Sequence, residues 1–164
     1  PIFLYTNGWD FWEVGGFLAG WTVFYGLVQA IAPNIIYVTN NGKKTVSSTS
    51  ILVWSISLAL VPLGLLGIMS VNPDLILLLS GLVLFGFVFA INSSLHSFLI
   101  VAYAGSKKAA EDIGFYYAAN AAGRLFGTFL SGLLFQLGGV LACLAGTTLF
   151  LIATSVVVWR LPEL

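Results

Sequence analysis

The chain has 164 residues, of which 59% are hydrophobic and only 7% are charged, with six basic side chains balancing six acidic ones. A soluble domain carries about 25% charged residues, so the composition excludes a water-soluble fold and indicates an integral membrane protein. The apolar runs exceed the roughly ten residues of a barrel strand and do not alternate, which predicts an all-α fold. A net charge of zero gives no sign of a nucleic-acid partner.

Five apolar segments follow one another, each longer than the roughly 20 residues that cross a hydrocarbon core. Their predicted bounds are residues 10–32, 48–71, 75–103, 109–137 and 139–159, numbered here as segments one to five. Pro33 is predicted to close segment one, and the pair Gly138-Gly139 to make a short hairpin. Residues 1–5 lack a methionine and a basic signal-peptide region, which predicts the end of a preceding helix in a longer protein.

Basic residues occupy every second loop. Lys43 and Lys44 follow segment one, Lys107 and Lys108 follow segment three, and Arg160 follows segment five. Because loops rich in lysine and arginine stay in the cytoplasm, these loops and the C-terminus are expected on the cytoplasmic side of a cell (inner) membrane.

Arg124 is the only charge placed deep inside an apolar segment. A charge at the centre of a membrane helix costs about 2.5–3.5 kcal/mol on insertion scales, and such residues usually face a bundle interior or an aqueous cavity. Two interpretations stand. The planar guanidinium binds an anionic substrate, or it clamps backbone carbonyls or an acid on another helix.

Segments one, three and four carry deep polar residues three or four positions apart, on one helix face. These are Tyr25 and Gln29, Asn92 and His96, and Tyr117, Asn120, Arg124 and Thr128. The three segments are expected to line an aqueous cavity, and segments two and five to face lipid. For Asn92, Asn120 and His96 the alternatives are substrate contact and hydrogen bonds that tie helices together; for Tyr25, Tyr117 and Gln29 they are substrate contact and packing.

Two small-residue pairs predict close helix packing, Gly16 with Gly20 and Gly123 with Gly127. Cys143 stands alone and is expected to be a small core residue. The sequence has no Walker loop and no zinc-type histidine pair, since His96 is the only histidine. We therefore expect no enzymatic activity, no metal and no cofactor.

The run from Asn120 to Gly139, NAAGRLFGTFLSGLLFQLGG, resembles the eleventh helix of major facilitator superfamily transporters. The runs GWDFWEVGGFLAG (residues 8–20) and YGLVQAIAP (residues 25–33) look like the eighth. Together they are most similar to the organoarsenical efflux permease family. The resemblance covers the whole chain as helices eight to twelve of the C-terminal six-helix half.

This resemblance implies a transporter of two six-helix halves with its site between them. It implies export of 1-arseno-3-phosphoglycerate, an anion made by a partner glyceraldehyde-3-phosphate dehydrogenase, with Arg124 as a ligand. The N-terminal half would be a separate part of the same chain. Two alternatives stay open: an exporter of another drug or metabolite, and a non-transporting membrane subunit whose polar residues only join helices.

Overall fold

The computed structural model describes residues 1–36, 38–40, 43–104 and 108–161, and these are almost entirely helical. The elements are α1 (Ile2–Thr6), α2 (Phe11–Ile36), β1 (Val38–Asn40), β2 (Lys43–Thr45), α3 (Ser48–Val71), α4 (Leu75–Tyr103) and α5 (Ala109–Trp159). The strands β1 and β2 pair antiparallel in a short ribbon. The predicted helical fold is confirmed, and within the described residues four helices are long and apolar enough to cross a membrane.

Helix α2 begins at a reciprocal cap. The backbone N–H of Asp10 donates to Glu13 Oε2 (2.8 Å), and the backbone N–H of Glu13 donates to Asp10 Oδ1 (2.7 Å), which satisfies two donors at the helix start. The helix then continues through Pro33 to Ile36. The prediction that Pro33 closes this helix is wrong, because a membrane-type helix tolerates proline when neighbouring groups satisfy the freed carbonyl.

Helix α5 spans predicted segments four and five, and it is not straight. Gly138 and Gly139 depart from helical geometry, and Gly139 has a positive φ of 62° that only glycine adopts readily. On either side of this break, Cys143 Sγ lies 3.5 Å from the carbonyl oxygen of Ser131. A straight helix would separate residues twelve positions apart by about 18 Å. Helix α5 is therefore a helical hairpin, with a first arm (residues 109–137) and a second arm (residues 140–159).

Two apolar clusters hold the two ends of the bundle together. The first joins the end of α2, the start of α3, the last part of α4 and the end of the second arm: Ala32, Ile36, Val46, Ile51, Ile91, Leu95, Leu99 and Val158. The second joins the end of α3, the start of α4 and the start of the second arm: Leu65, Met69, Leu78 and Leu144. Helices that follow one another in the chain therefore run antiparallel, whereas α2 and α4 pack side by side in parallel.

Basic residues gather at one of these two ends. Strand β2, which contains Lys43 and Lys44, lies on the side of the first cluster together with Lys108 and Arg160, and we name this side the basic end. Two acidic residues, Glu111 and Asp112, lie there as well, in the first turn of α5. Asp10, Glu13 and Asp74 lie at the opposite end, where helices α2 and α4 begin. The alternation of basic loops seen in the sequence thus corresponds to one physical side of the molecule.

Helix α3 occupies a more central place than its sequence predicted. Segment two was expected to face lipid, yet α3 contacts both α4 and α5 and buries Ser55, Leu58 and Ala59. Small residues let the helices approach closely, and apolar side chains pack against a neighbouring helix as readily as they face lipid. A count of polar residues therefore does not distinguish a packed helix from a lipid-facing one.

Candidate functional site

Arg124 lies on the first arm of α5, in a stretch that the rest of the chain leaves uncovered. Every residue from 117 to 129 is exposed, Arg124 included. Among the described residues, no carboxylate lies within ion-pairing distance of its guanidinium. The arm therefore presents a positive charge, flanked by apolar residues, that nothing in the described chain neutralises.

The predicted polar stripe is present on this arm. Tyr117 and Asn120 precede Arg124 on the same face and are equally exposed. Thr128 is less available, because its hydroxyl donates to the backbone carbonyl of Arg124 at 2.8 Å and so bonds within its own helix. The side chains of Tyr117, Asn120 and Arg124 are the members of the stripe that remain open to a ligand or a partner.

Asn92 on α4 lies in a different environment. Its side chain is only 5% exposed, and its Oδ1 accepts a hydrogen bond of 3.2 Å from the hydroxyl of Ser55 on α3, which is 2% exposed. A buried amide that is bonded to a neighbouring helix is a cross-link between helices. For Asn92, the geometry therefore favours a hydrogen bond that joins two helices over a contact with substrate.

Gln29 on α2 also contacts α4. Its Nε2 donates to Ser93 Oγ at 3.4 Å, and the hydroxyl of Ser94 donates to the backbone carbonyl of Gln29 at 3.3 Å. About two turns earlier, Trp21 Nε1 donates to the carbonyl oxygen of Leu82 at 2.8 Å. Polar contacts therefore join α2 to α4 at two levels of the bundle.

Tyr25 belongs to an aromatic stack between the same two helices. Its ring stacks on Trp21 with centroids 5.9 Å apart, and it lies 5.5 Å from the ring of Phe89 on α4. Phe89 in turn stacks on Phe85 at 5.7 Å. The ring of Tyr25 thus packs at the α2–α4 interface rather than projecting with Arg124.

His96 lies beside a cavity of about 440 Å³ between the end of α4 and the start of the first arm, where Asp112 and Tyr116 also line the wall. Its Nε2 is buried without a hydrogen-bond partner among the described residues. Arg124 lies eight residues beyond Tyr116 along the arm, which is about 12 Å. The structure therefore groups His96 with Asp112 and Tyr116, and not with Arg124.

Sequence reasoning did not identify Asp112 and Tyr116 as neighbours of His96. The available signal was their spacing of four residues, which places a carboxylate and a phenol on one face of the arm. Asp112 lies in the first turn of the arm, where acidic residues are ordinary and give no sign of a site. Their meeting with His96 depends on how the arm docks on α4, which no local pattern encodes.

The glycines predicted to pack do not meet another helix in the described chain. A Cβ added at Gly16, Gly20, Gly123 or Gly127 would find nothing within 4 Å. Close approach occurs instead at three other glycines, where an added Cβ would collide with a side chain of a neighbouring helix: Gly81 with Leu65, Gly86 with Trp21, and Gly146 with Leu134. The GxxxG spacing was not the signal, because none of these three contact glycines lies in such a pair.

Cys143, expected in the core, is partly buried on the second arm at its contact with the first arm. Among the described residues, no three His, Cys, Asp or Glu side chains cluster in a way that could hold a metal ion.

Comparison of the chain with protein-family models, with curated proteins and with solved structures finds no match. The functional conclusion therefore depends on the placement of the polar side chains described above.

Proposed function

We propose that the chain forms part of a secondary membrane transporter that exports a small organic anion, with Arg124 binding the negative charge of the substrate. One observation carries this proposal. Arg124 lies in the middle of an apolar helix arm whose residues 117–129 are uncovered, and no acid of the described chain pairs with it.

Electrostatics limits what can face Arg124. A guanidinium directed into hydrocarbon costs about 2.5–3.5 kcal/mol or more, so an aqueous cavity or a counter-charge must meet it. Its five N–H donors form a planar fork that matches the oxygens of phosphate, arsenate or carboxylate. Asn120, one turn away on the same face, supplies a further amide donor.

The proposed architecture follows the resemblance to the major facilitator superfamily. In it, each arm of the α5 hairpin crosses the membrane, which gives five crossing helices of a six-helix half. A second half of a longer chain faces the stripe of Tyr117, Asn120 and Arg124 across the transport path. The basic end, with the C-terminus, lies in the cytoplasm and the helices lie in the inner membrane.

The proposed substrate is 1-arseno-3-phosphoglycerate. It carries anionic oxygens on its arsenate and on its phosphate, and a glyceraldehyde-3-phosphate dehydrogenase would supply it. Such a transporter would remove arsenate from the cell as an acyl arsenate and so confer arsenic resistance.

The test replaces Arg124 with alanine in the complete protein, in cells that co-express the dehydrogenase. We expect Arg124→Ala to reduce arsenate resistance to the level of cells without the transporter. Lys108→Ala is the control, because it removes an exposed basic residue at a helix end and should leave resistance within about twofold of the parent. Both variants are compared at equal amounts in the membrane. Resistance that survives Arg124→Ala would eliminate the anion-binding role.

A second measurement separates the role of Arg124 from the identity of the substrate. 3-Phosphoglycerate is a stable organic anion that can be added to purified protein, and bound ligand raises the melting temperature by mass action. We expect this stabilisation in the parent and in Lys108→Ala, and its absence in Arg124→Ala. If the anion stabilises the parent protein but the parent gives no arsenate resistance, the proposal of anion transport stands. The substrate would then be another anionic metabolite and not the arsenical.

A non-transporting membrane subunit is the second candidate, and a specific observation favours it. The polar side chains of α2 and α4 bond to other helices of the chain, as in the pairs Asn92–Ser55 and Gln29–Ser93. If Arg124 likewise only joins helices, Arg124→Ala would lower the melting temperature without ligand, and 3-phosphoglycerate would stabilise neither protein.

A further inference from the structure

A second surface of the molecule has a shape and chemistry unlike the polar stripe. Helix α3 and the second arm of α5 enclose an open groove of about 440 Å³. Its walls are apolar side chains such as Leu52, Ile56 and Leu63 on α3 and Ile152 on the arm. This volume is within the range of about 300–1,000 Å³ that ligand pockets occupy.

Apart from the indole N–H of Trp159 at its outer end, the groove offers no free polar group. Ser155 also lies in its wall, but its hydroxyl already donates to the carbonyl oxygen of Leu151 at 2.9 Å within the same helix. A ligand inside the groove therefore gains only apolar contact. Hydrocarbon chains satisfy this condition, whereas sugars, nucleotides and free anions do not.

The length of the groove matches one leaflet of a bilayer. Its wall on α3 extends from Leu52 to Leu63, which is about 16 Å at 1.5 Å per residue. One leaflet contributes about 15 Å of the hydrocarbon core, half of its 30 Å. Leu52 lies one turn after the helix begins at Ser48, so the groove starts near one membrane surface and ends near the midplane.

The outer end of the groove combines an interfacial aromatic residue with positive charge. Trp159 lines the groove and is 70% exposed, and the exposed Arg160 follows it directly. Tryptophan is enriched at the level of lipid headgroups. The strand that contains Lys43 and Lys44 lies at the same, basic end of the bundle. An occupant with a hydrocarbon chain and a negative head fits both parts.

We propose that this groove is a binding site for one acyl chain of an anionic membrane phospholipid, whose phosphate is held beside Trp159 and Arg160. The proposal is independent of the transport function, because it uses α3 and the second arm, whereas Arg124 lies on the first arm. The bound acyl chain fills the groove between α3 and the second arm, and the bound headgroup holds the basic end at the membrane surface.

The test measures lipid retained by the complete purified protein. The protein in mild detergent is incubated with an equimolar mixture of phosphatidylglycerol and phosphatidylcholine, and the lipid that stays bound is identified by native mass spectrometry. We expect phosphatidylglycerol to be retained about fivefold more than phosphatidylcholine, because one basic residue near the headgroup gives a preference of that order. Equal retention of the two lipids would contradict the headgroup part of the proposal.

Two variants assign the lipid to this groove. Ile56→Trp fills the groove and should reduce retained lipid at least about fivefold, whereas Ile68→Trp is the matched control. Ile68 is on the same helix, has similar exposure and lies outside the groove. Arg160→Gln should equalise the two lipids without removing the acyl chain, and it changes only an exposed residue at the helix end.

A separate measurement covers the case in which Ile56→Trp fails to fold. Brominated phosphatidylglycerol quenches the fluorescence of nearby tryptophan residues. We expect it to quench the protein's fluorescence at a lower mole fraction than brominated phosphatidylcholine does. Trp159→Phe should remove this component of the quenching. Three results would each overturn the proposal: unchanged quenching in Trp159→Phe, equal lipid retention by Ile56→Trp and Ile68→Trp, or a lipid-free dimer in the mass spectrum. The lipid-free dimer would assign the groove to a second copy of the chain.

Discussion

Helix α4 and the first arm of α5 are both long apolar helices with polar residues deep inside them. The two helices differ in whether these polar side chains are buried and bonded to another helix. On α4, the side chain of Asn92 is buried and bonded to Ser55 of α3. On the first arm, Asn120 and Arg124 are exposed together with all residues from 117 to 129. The same residue type therefore joins helices in one region and stays open in the other.

The difference shows that a polar residue in a membrane helix is informative about function only once its partners are known. Within the three-helix unit (α2, α3 and α4), hydrogen bonds and the aromatic stack of Trp21, Tyr25 and Phe89 engage most of the deep polar and amphipathic side chains. His96 is the exception, since its Nε2 has no hydrogen-bond partner among the described residues. On the first arm, the described chain supplies no such partner to Arg124. Under the proposed function, this open face is where the substrate and a second set of helices would meet Arg124.

The largest effect is expected from labelling the first arm with a water-soluble maleimide. In a Cys143→Ser background, Asn120→Cys should react at least on the order of tenfold faster than Ala122→Cys, because thiolate forms in water and not in hydrocarbon. Ala122 is the matched control, since it is also small and exposed but lies about 200° around the helix from Asn120. Equal rates would mean that the polar stripe does not face an aqueous path.

A glycine pair tests the packed side of the comparison. Gly86→Leu should lower the free energy of unfolding by about 2–4 kcal/mol, because its side chain would displace Trp21 and break the hydrogen bond to Leu82. Gly67→Leu on α3 should have little effect, since an added Cβ there meets nothing within 4 Å. Thermal melting of the purified variants measures both. If the two variants melt alike, α2 and α4 do not pack as described.

The smallest expected effect is the coupling between Asn92 and Ser55. In a double-mutant cycle, Asn92→Ala and Ser55→Ala should show an interaction energy of about 0.6 kcal/mol, and at most about 1.7 kcal/mol, as membrane hydrogen bonds do. Ser70→Ala provides the reference cycle with Asn92→Ala, because the hydroxyl of Ser70 bonds to its own helix at Gly67. Additive effects in the first cycle would remove the assignment of Asn92 as a cross-link.

Helix bounds were accessible from the sequence where turn chemistry interrupts an apolar run. Segments 48–71 and 75–103 agree with α3 and α4, since Asn72-Pro73-Asp74 cannot continue a helix and Asp74 accepts a hydrogen bond from the N–H of Leu77. The end of segment one was missed, because Pro33 was given the effect it has in a soluble helix. The break at Gly138-Gly139 was expected, and its positive φ explains why glycine is needed there.

The candidate site could be predicted only in part. The sequence identified Arg124 as the one deep charge. The structure places it on the uncovered first arm, where its side chain is exposed. The prediction that His96 and Gln29 line one cavity with Arg124 does not agree with the structure. His96 lies beside Asp112 and Tyr116, and Gln29 bonds to Ser93. Helical spacing determines which residues share a face of one helix, and it gives no information about the rotation of that face toward other helices.

By itself, the sequence determined the membrane character, the helical class, the alternation of basic loops and the position of Arg124 along its helix. These properties follow from local composition and from the length that a hydrocarbon core requires. Only the tertiary structure decided that α3 is central, that Gly86 rather than Gly16 or Gly127 is a packing glycine, and that Asn92 is tied while Asn120 is open. The physical reason is that lipid and protein interiors are equally apolar, so the pattern of hydrophobic residues does not specify which face of a membrane helix meets a neighbour.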